Sequence, residues 1–142
     1  MKLFISESGS QNLIDVFTLG EGRTLVVSVL AAVEVRSAIR RRQFARDIDE
    51  PNATLAVGTL SQETGRILEH PISAAVIAEA TGLVDRHGLR ALDAIQLATA
   101  IVARSSMPNS QSFMFVASDH RLLEAALRES FRTWDPSHSP PP

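Results

Sequence analysis

Residues 24–30, TLVVSVL, and residues 113–117, FMFVA, are short apolar runs in which polar residues do not alternate with apolar ones. A strand with one face in water shows that alternation. A run without it reads as a strand covered on both faces, the situation of a parallel sheet. Each run passes directly into a helical pattern. From Ala31 to about Asp47 the apolar positions Val35, Ala38 and Ile39 recur at helical spacing, and His120 to Glu129 reads as a helix behind the second run. Strands alternating with helices predict an α/β domain with a parallel sheet flanked by helices.

The rest of the chain falls into place around these two units. Leu13, Ile14 and Phe17 place a helix over residues 10–19, with Gly20 as its stop. Asp49, Glu50 and Pro51 mark a helix start, with proline in the first turn and acids at the positive end of the dipole. That helix continues over residues 53–66, although Gly58 and several threonines weaken it. Residues 67–72 suit a short edge strand, because Pro71 has no N–H to give to a ladder. Residues 73–86 and 91–104 read as two helices separated at Gly88, residues 105–112 as a polar loop, and residues 131–134 as a last strand. The domain runs over residues 1–136, and residues 137–142 form a disordered Ser/Pro tail. Such an order of elements normally opens with a strand, so a strand is expected ahead of the first helix.

Composition narrows the function classes. The chain has 142 residues, 44% of them hydrophobic, and a net charge of −2. At about 150 residues per domain this is one domain with a sizeable core. The absence of cysteine excludes disulfide scaffolds, thiolate zinc sites and a cysteine nucleophile. No apolar run approaches the roughly 18 residues of a membrane span. MKLFISESGS has neither a basic n-region nor a continuous apolar stretch, so no secretory signal is predicted and a cytoplasmic protein is expected. Lys2 is the single lysine, and every other basic residue is arginine. Arginine suits planar contacts to phosphate or carboxylate, and codon bias gives the same composition. With a pI near 6.1, any nucleic-acid contact is a local patch rather than a coat of positive charge.

Familiar phosphate loops and nucleophile motifs are absent: there is no G-x-G-x-x-G, no P-loop and no G-x-S-x-G. His70, His87, His120 and His138 show no ligand spacing and read as surface residues. The carboxylates carry more information. Glu34 has apolar immediate neighbours, and Ser37 and Ala38 at i+3 and i+4 deny it the usual helix ion pair. Asp93 lies in ALDAIQLATAIV, which is apolar almost all round, with Gln96 one turn further on. Asp119 comes after the FMFVAS run at the head of a helix. Parallel α/β sheets place their sites at the carboxyl ends of strands, where Glu34 and Asp119 fall. Each acid also has a plain structural reading: Asp119 as a helix N-cap, Asp93 as a first-turn acid or a partner of Arg90, Glu34 as a solvated residue. Three acids at one locus need a cation. Oxygen ligands without His or Cys select Mg²⁺ or Mn²⁺, and the chemistry this implies is metal-assisted phosphoryl transfer. Arg40, Arg41, Arg42 and Arg46 fan across a wide helical arc, as a solvated face or as one or two contacts to a substrate or partner.

VVSVLAAVEVRSAIRRR, HGLRALDAIQLATAIV and FVASDHRLLEAALRES followed by WDP resemble PIN-domain proteins, in particular VapC-type toxins of toxin–antitoxin pairs. The resemblance runs from about Lys2 to Pro136, and RALDAIQLATA is its most specific block. It implies a Rossmann-like three-layer domain with a parallel sheet. The function implied is a Mg²⁺- or Mn²⁺-dependent endoribonuclease, homodimeric, acting on RNA and neutralised by a cognate antitoxin. The family's acidic metal site corresponds to Glu34, Asp93 and Asp119. The family opens with a central strand bearing D-T/S-S-x-L. MKLFISESGS matches the family's segment just after that strand, so its Asp is expected about five residues ahead of Met1, and the domain is expected to lack its first strand. An inactive PIN-like protein that still binds antitoxin or RNA is the alternative, and Ser28 and Ser118 are candidates for supporting hydrogen bonds.

Overall fold

The computed structural model describes residues 24–63, 67–107 and 113–138. Among these residues nine elements succeed one another: β1 (Val26–Ser28), α1 (Ala31–Phe44), α2 (Glu50–Glu63), β2 (Leu68–His70), α3 (Ala74–His87), α4 (Ala91–Ser106), β3 (Met114–Val116), α5 (His120–Arg128) and β4 (Arg132–Trp134). The α/β alternation read from the sequence is present, with every strand trimmed to three residues. The helix expected over residues 10–19 and the last four residues of the tail lie outside the described residues. So does most of the loop before β3. Ser137 and His138, at the start of that tail, are hydrogen-bonded to Asp135.

Local chemistry sets the element ends. Asp49 Oδ1 accepts the Asn52 N–H at 2.9 Å and opens α2 one residue before Pro51. Ser73 caps α3 by accepting the Val76 N–H at 3.3 Å. The same helix stops at Gly88, whose φ of 61° is the left-handed conformation that glycine adopts at little cost. Pro71 ends the β2 ladder immediately after His70.

Pairing is parallel throughout. β1 lies beside β2 in the register Val26 to Leu68, and β3 beside β4 in the register Met114 to Arg132. Parallel neighbours need a crossover, supplied by α1 and α2 in the first pair and by α5 in the second. Among the described residues no strand joins the two pairs.

The larger core gathers on α4. Ala94, Leu97 and Ala98 are fully buried, and they pack with Val76 and Leu83 of α3, Phe115 of β3, Leu122, Ala125 and Ala126 of α5, and Phe131. α4 also packs against β1. A helix touched by α3, α5 and a strand needs apolar residues on most of its circumference, which accounts for the nearly unbroken ALDAIQLATAIV. A smaller cluster of Ile39, Ala53 and Ala56 closes α1 onto α2.

A charged knot fastens the end of α3 to the turn after α5. Glu129 Oε1 accepts from Arg86 Nη2 at 3.1 Å and lies 2.8 Å from His87 Nε2, while Arg86 also reaches Glu79 at 2.7 Å. His87 is therefore not a surface histidine: its side chain is only 10% exposed, and Nδ1 is buried with no partner among the described residues. The His87 hydrogen bond first, and Arg86 as a further cause, hold the Glu129 carboxyl below the ordinary range against an opposing effect of burial. Arg104 completes the joint, donating to the Glu129 and Ser130 carbonyls with its guanidinium 3.8 Å over the Phe131 ring.

Candidate active site

The three acids expected from the sequence come from three helix starts. Glu34 lies in the first turn of α1 behind β1, Asp93 in the first turn of α4, and Asp119 at the N-cap of α5 behind β3.

Asp119 does serve as a cap, its Oδ1 accepting the Leu122 N–H at 3.0 Å. That bond occupies one oxygen, and Oδ2 makes no hydrogen bond among the described residues. Asp93 is partly buried. Burial raises its carboxyl above the ordinary value first, the negative charge of Asp119 raises it further, and Arg90 and Arg121 pull it back. Asp93 and Asp119 thus stand within electrostatic reach of one another at the heads of adjoining helices.

Glu34 joins them indirectly. Gln96, one turn along α4 from Asp93, donates from Nε2 to Glu34 Oε2 at 2.8 Å. The bond spans 62 positions of sequence and ties α1 to α4 beside the acid pair. Neither the apolar neighbours of Glu34 nor the helical pattern of α4 announces it. The one signal in the sequence is the placement of an amide on the Asp93 face of an otherwise apolar helix, one turn from the acid.

The serines considered as helpers make hydrogen bonds of their own within the fold. Ser28 is buried, and its Oγ accepts the Leu30 N–H at 3.3 Å, turning the chain from β1 into α1. Ser118 Oγ donates to Asp135 Oδ1 at 3.2 Å and links the carboxyl ends of β3 and β4. Asp135 also accepts from the Ser137 hydroxyl and N–H and pairs with His138. The Ser137 hydroxyl foremost, with its N–H, His138 and Ser118, holds the Asp135 carboxyl far below the usual range despite some opposing burial. Asp135 is thereby spent on its own turn. Of the α1 arginines, Arg40 donates to Gln43 at 2.6 Å and Arg41 to Ser37 at 3.1 Å, so both are engaged along their own helix.

The donor set of Glu34, Asp93 and Asp119 is all oxygen, and two neighbouring carboxylates with a raised Asp93 are what a hard divalent cation would relieve. Among the described residues no group of three acids or histidines converges closely enough to enclose an ion. The donors, all carboxylate oxygens, are of the kind that suits a hard cation, and Gln96 holds Glu34 one amide away from Asp93 on α4. No helix among the described residues is long and apolar enough to cross a membrane.

No curated protein sequence matches the chain. At the level of families the PIN domain sequence model matches residues 6–127, most of the chain, and the protein belongs to the PIN domain family.

Proposed function

We propose that this protein is a Mg²⁺- or Mn²⁺-dependent endoribonuclease of the VapC toxin type, hydrolysing RNA phosphodiester bonds with Asp93, Asp119 and Glu34 as its acidic centre. Membership in the PIN domain family points to nuclease chemistry as the general class. The observation that carries the finer reading is the Asp93 carboxyl, raised by burial and by the charge of Asp119 at the head of the neighbouring helix. Such a pair is costly without a cation and useful with one. The chemistry that a divalent ion would supply there is activation of a water and stabilisation of the leaving oxygen. Asp93 and Asp119 would be its direct ligands, and Glu34, oriented by Gln96, would hold the ion directly or through a water. A cognate antitoxin, a homodimeric assembly and a cytoplasmic location belong to the same proposal and rest on the resemblance to VapC-type toxins.

One observation favours a second reading, a PIN-like protein that binds RNA or antitoxin without cleaving. The Glu34 carboxylate is engaged by Gln96, and no three acids converge among the described residues. Cleavage of a single-stranded RNA by the whole protein separates the two. The nuclease reading expects cutting with Mg²⁺ or Mn²⁺, none with EDTA, and a loss of roughly 100-fold or more in Asp93→Asn with the melting curve still cooperative. Undiminished cutting in Asp93→Asn sinks the site assignment. Failure to cut with either ion, together with retained RNA or antitoxin binding, selects the second reading.

A further inference from the structure

Two arginines flank the acid pair and are not used by the fold in the way its other engaged arginines are. Arg86 is committed to Glu79 and Glu129, and Arg104 to two carbonyls and the Phe131 ring. Arg90 is exposed at the N-cap of α4; its carbonyl accepts the Ala94 N–H at 2.9 Å, and its side chain makes no hydrogen bond or ion pair among the described residues. Arg121, exposed in the first turn of α5, makes a single bond, from Nη2 to the Gly88 carbonyl at 3.3 Å. A guanidinium has five N–H donors, so most of those on Arg121 are unspent.

Placement of the two side chains is built in. Arg90 precedes Asp93 by three positions on the same helix, and Arg121 lies two positions after Asp119. The turn that carries Arg90 is held by the two residues before it. Gly88 takes the left-handed conformation and gives its carbonyl to Arg121, while Leu89 is buried, 8% exposed, in the main core. The Arg121–Gly88 bond brings the head of α5 to the turn that leads into α4, so both arginines sit on the helix ends that carry Asp93 and Asp119. A phosphodiester approaching Asp93 and Asp119 meets two negative charges, and these two cations are positioned to offset them. Arginine is the side chain whose planar fork matches phosphate oxygens.

We propose that Arg90 and Arg121 form a phosphate-binding subsite beside Asp93 and Asp119, gripping the backbone phosphodiester of a single-stranded RNA next to the one that is cut. The inference deepens the nuclease reading and rests on it for the identity of the cut bond. The grip is on the backbone, so it is indifferent to base sequence.

The test is equilibrium binding of a fluorescent single-stranded RNA to the whole protein in EDTA, where cleavage plays no part, for wild type, Arg121→Gln, Arg90→Gln and the double variant. Glutamine at 121 keeps a donor for the Gly88 carbonyl and removes the charge, and melting curves check the fold. The double variant should bind roughly 10- to 100-fold more weakly. Its plot of log K against log salt should be shallower by about 0.7 for each phosphate that the arginines no longer hold. An unchanged affinity and slope in the double variant overturns the subsite, as does a wild-type protein that binds no RNA at all. A double variant that binds poorly while wild type binds without ever cleaving supports the subsite and defeats the nuclease reading, so the two fail separately.

Discussion

Replacing Gln96 by Glu changes one atom type at the hydrogen bond that holds Glu34, and its consequence comes directly from the geometry. In the wild type the amide donates to Glu34 Oε2 at 2.8 Å, in a partly buried setting. The variant puts a second carboxylate where the donor stood. At about 4 Å and an effective dielectric near 20, two like charges repel by roughly 4 kcal/mol, and part exposure with side-chain rotation halves that. Loss of the charge-assisted hydrogen bond adds about 1 kcal/mol. The expected cost at pH 7.5 is about 3 kcal/mol, a fall in Tm on the order of 10 °C for a chain of this size. Crowding two carboxylates raises their pKa values in the folded state, so the penalty exists only where both are ionised. As pH falls into the carboxylate range one of them takes a proton, donates to the other, and restores the bond. Thermal unfolding at pH 7.5 and 4.5 checks this, with Gln96→Met as the variant that loses the bond without gaining charge. Gln96→Glu should be the worse of the two at pH 7.5, and its deficit relative to Gln96→Met should shrink or vanish at pH 4.5. A pH-independent deficit, or equal stability of the two variants at pH 7.5, would refute the bond and the role assigned to Gln96.

The same structure fixes other outcomes. Glu129→Ala strips His87 and Arg86 of their shared acceptor and leaves a nearly buried imidazole unpaired, which should cost about 2–3 kcal/mol at pH 7 by chemical denaturation. Because the Glu129 carboxyl is held low in the fold, its contribution is present above its unfolded pKa and is lost as pH drops through the folded value; the gap between wild type and variant should close in acid. The opposite sign applies to Asp93, whose carboxyl is raised: its ionisation weakens the fold at neutral pH, so Asp93→Asn should melt at or above the wild-type temperature at pH 7.5 and lose that advantage toward pH 4. Leu97→Ala, at a fully buried position on α4, should cost about 2–5 kcal/mol and be the most disruptive of these changes.

The fold is legible where local rules decide it. The two apolar runs become β1 and β3, Pro51 and Gly88 fall at helix ends, and the apolar circumference of α4 marks the helix that the others surround. Strand length is not legible, because valine and leucine favour extended backbone whether or not a neighbour completes the ladder. Register and pairing depend on partners roughly 20 to 40 residues away, which no local pattern encodes. At the candidate site, Glu34, Asp93 and Asp119 draw attention in the sequence because no local partner accounts fully for them, whereas in the fold Glu34 accepts from Gln96 and Asp119 caps α5. Gln96 gains its meaning only from a helix 62 positions earlier, and Arg121 only from a turn 33 positions earlier. His87 reads wrongly as a surface residue for the same reason: its partner Glu129 is 42 residues on, and a histidine beside a helix end looks exposed until that partner folds over it.

Asp93 and Asp119 are proposed as the core of a divalent cation site. Calorimetric titration of Mn²⁺ into the whole protein at low salt tests it most directly, beside Asp93→Asn and Asp119→Asn. The wild type should show a saturable site, and either variant at least a roughly tenfold loss of affinity, with a rise in Tm on saturation that the variants lack. Equal Mn²⁺ binding by all three proteins, or no binding by the wild type, would contradict it.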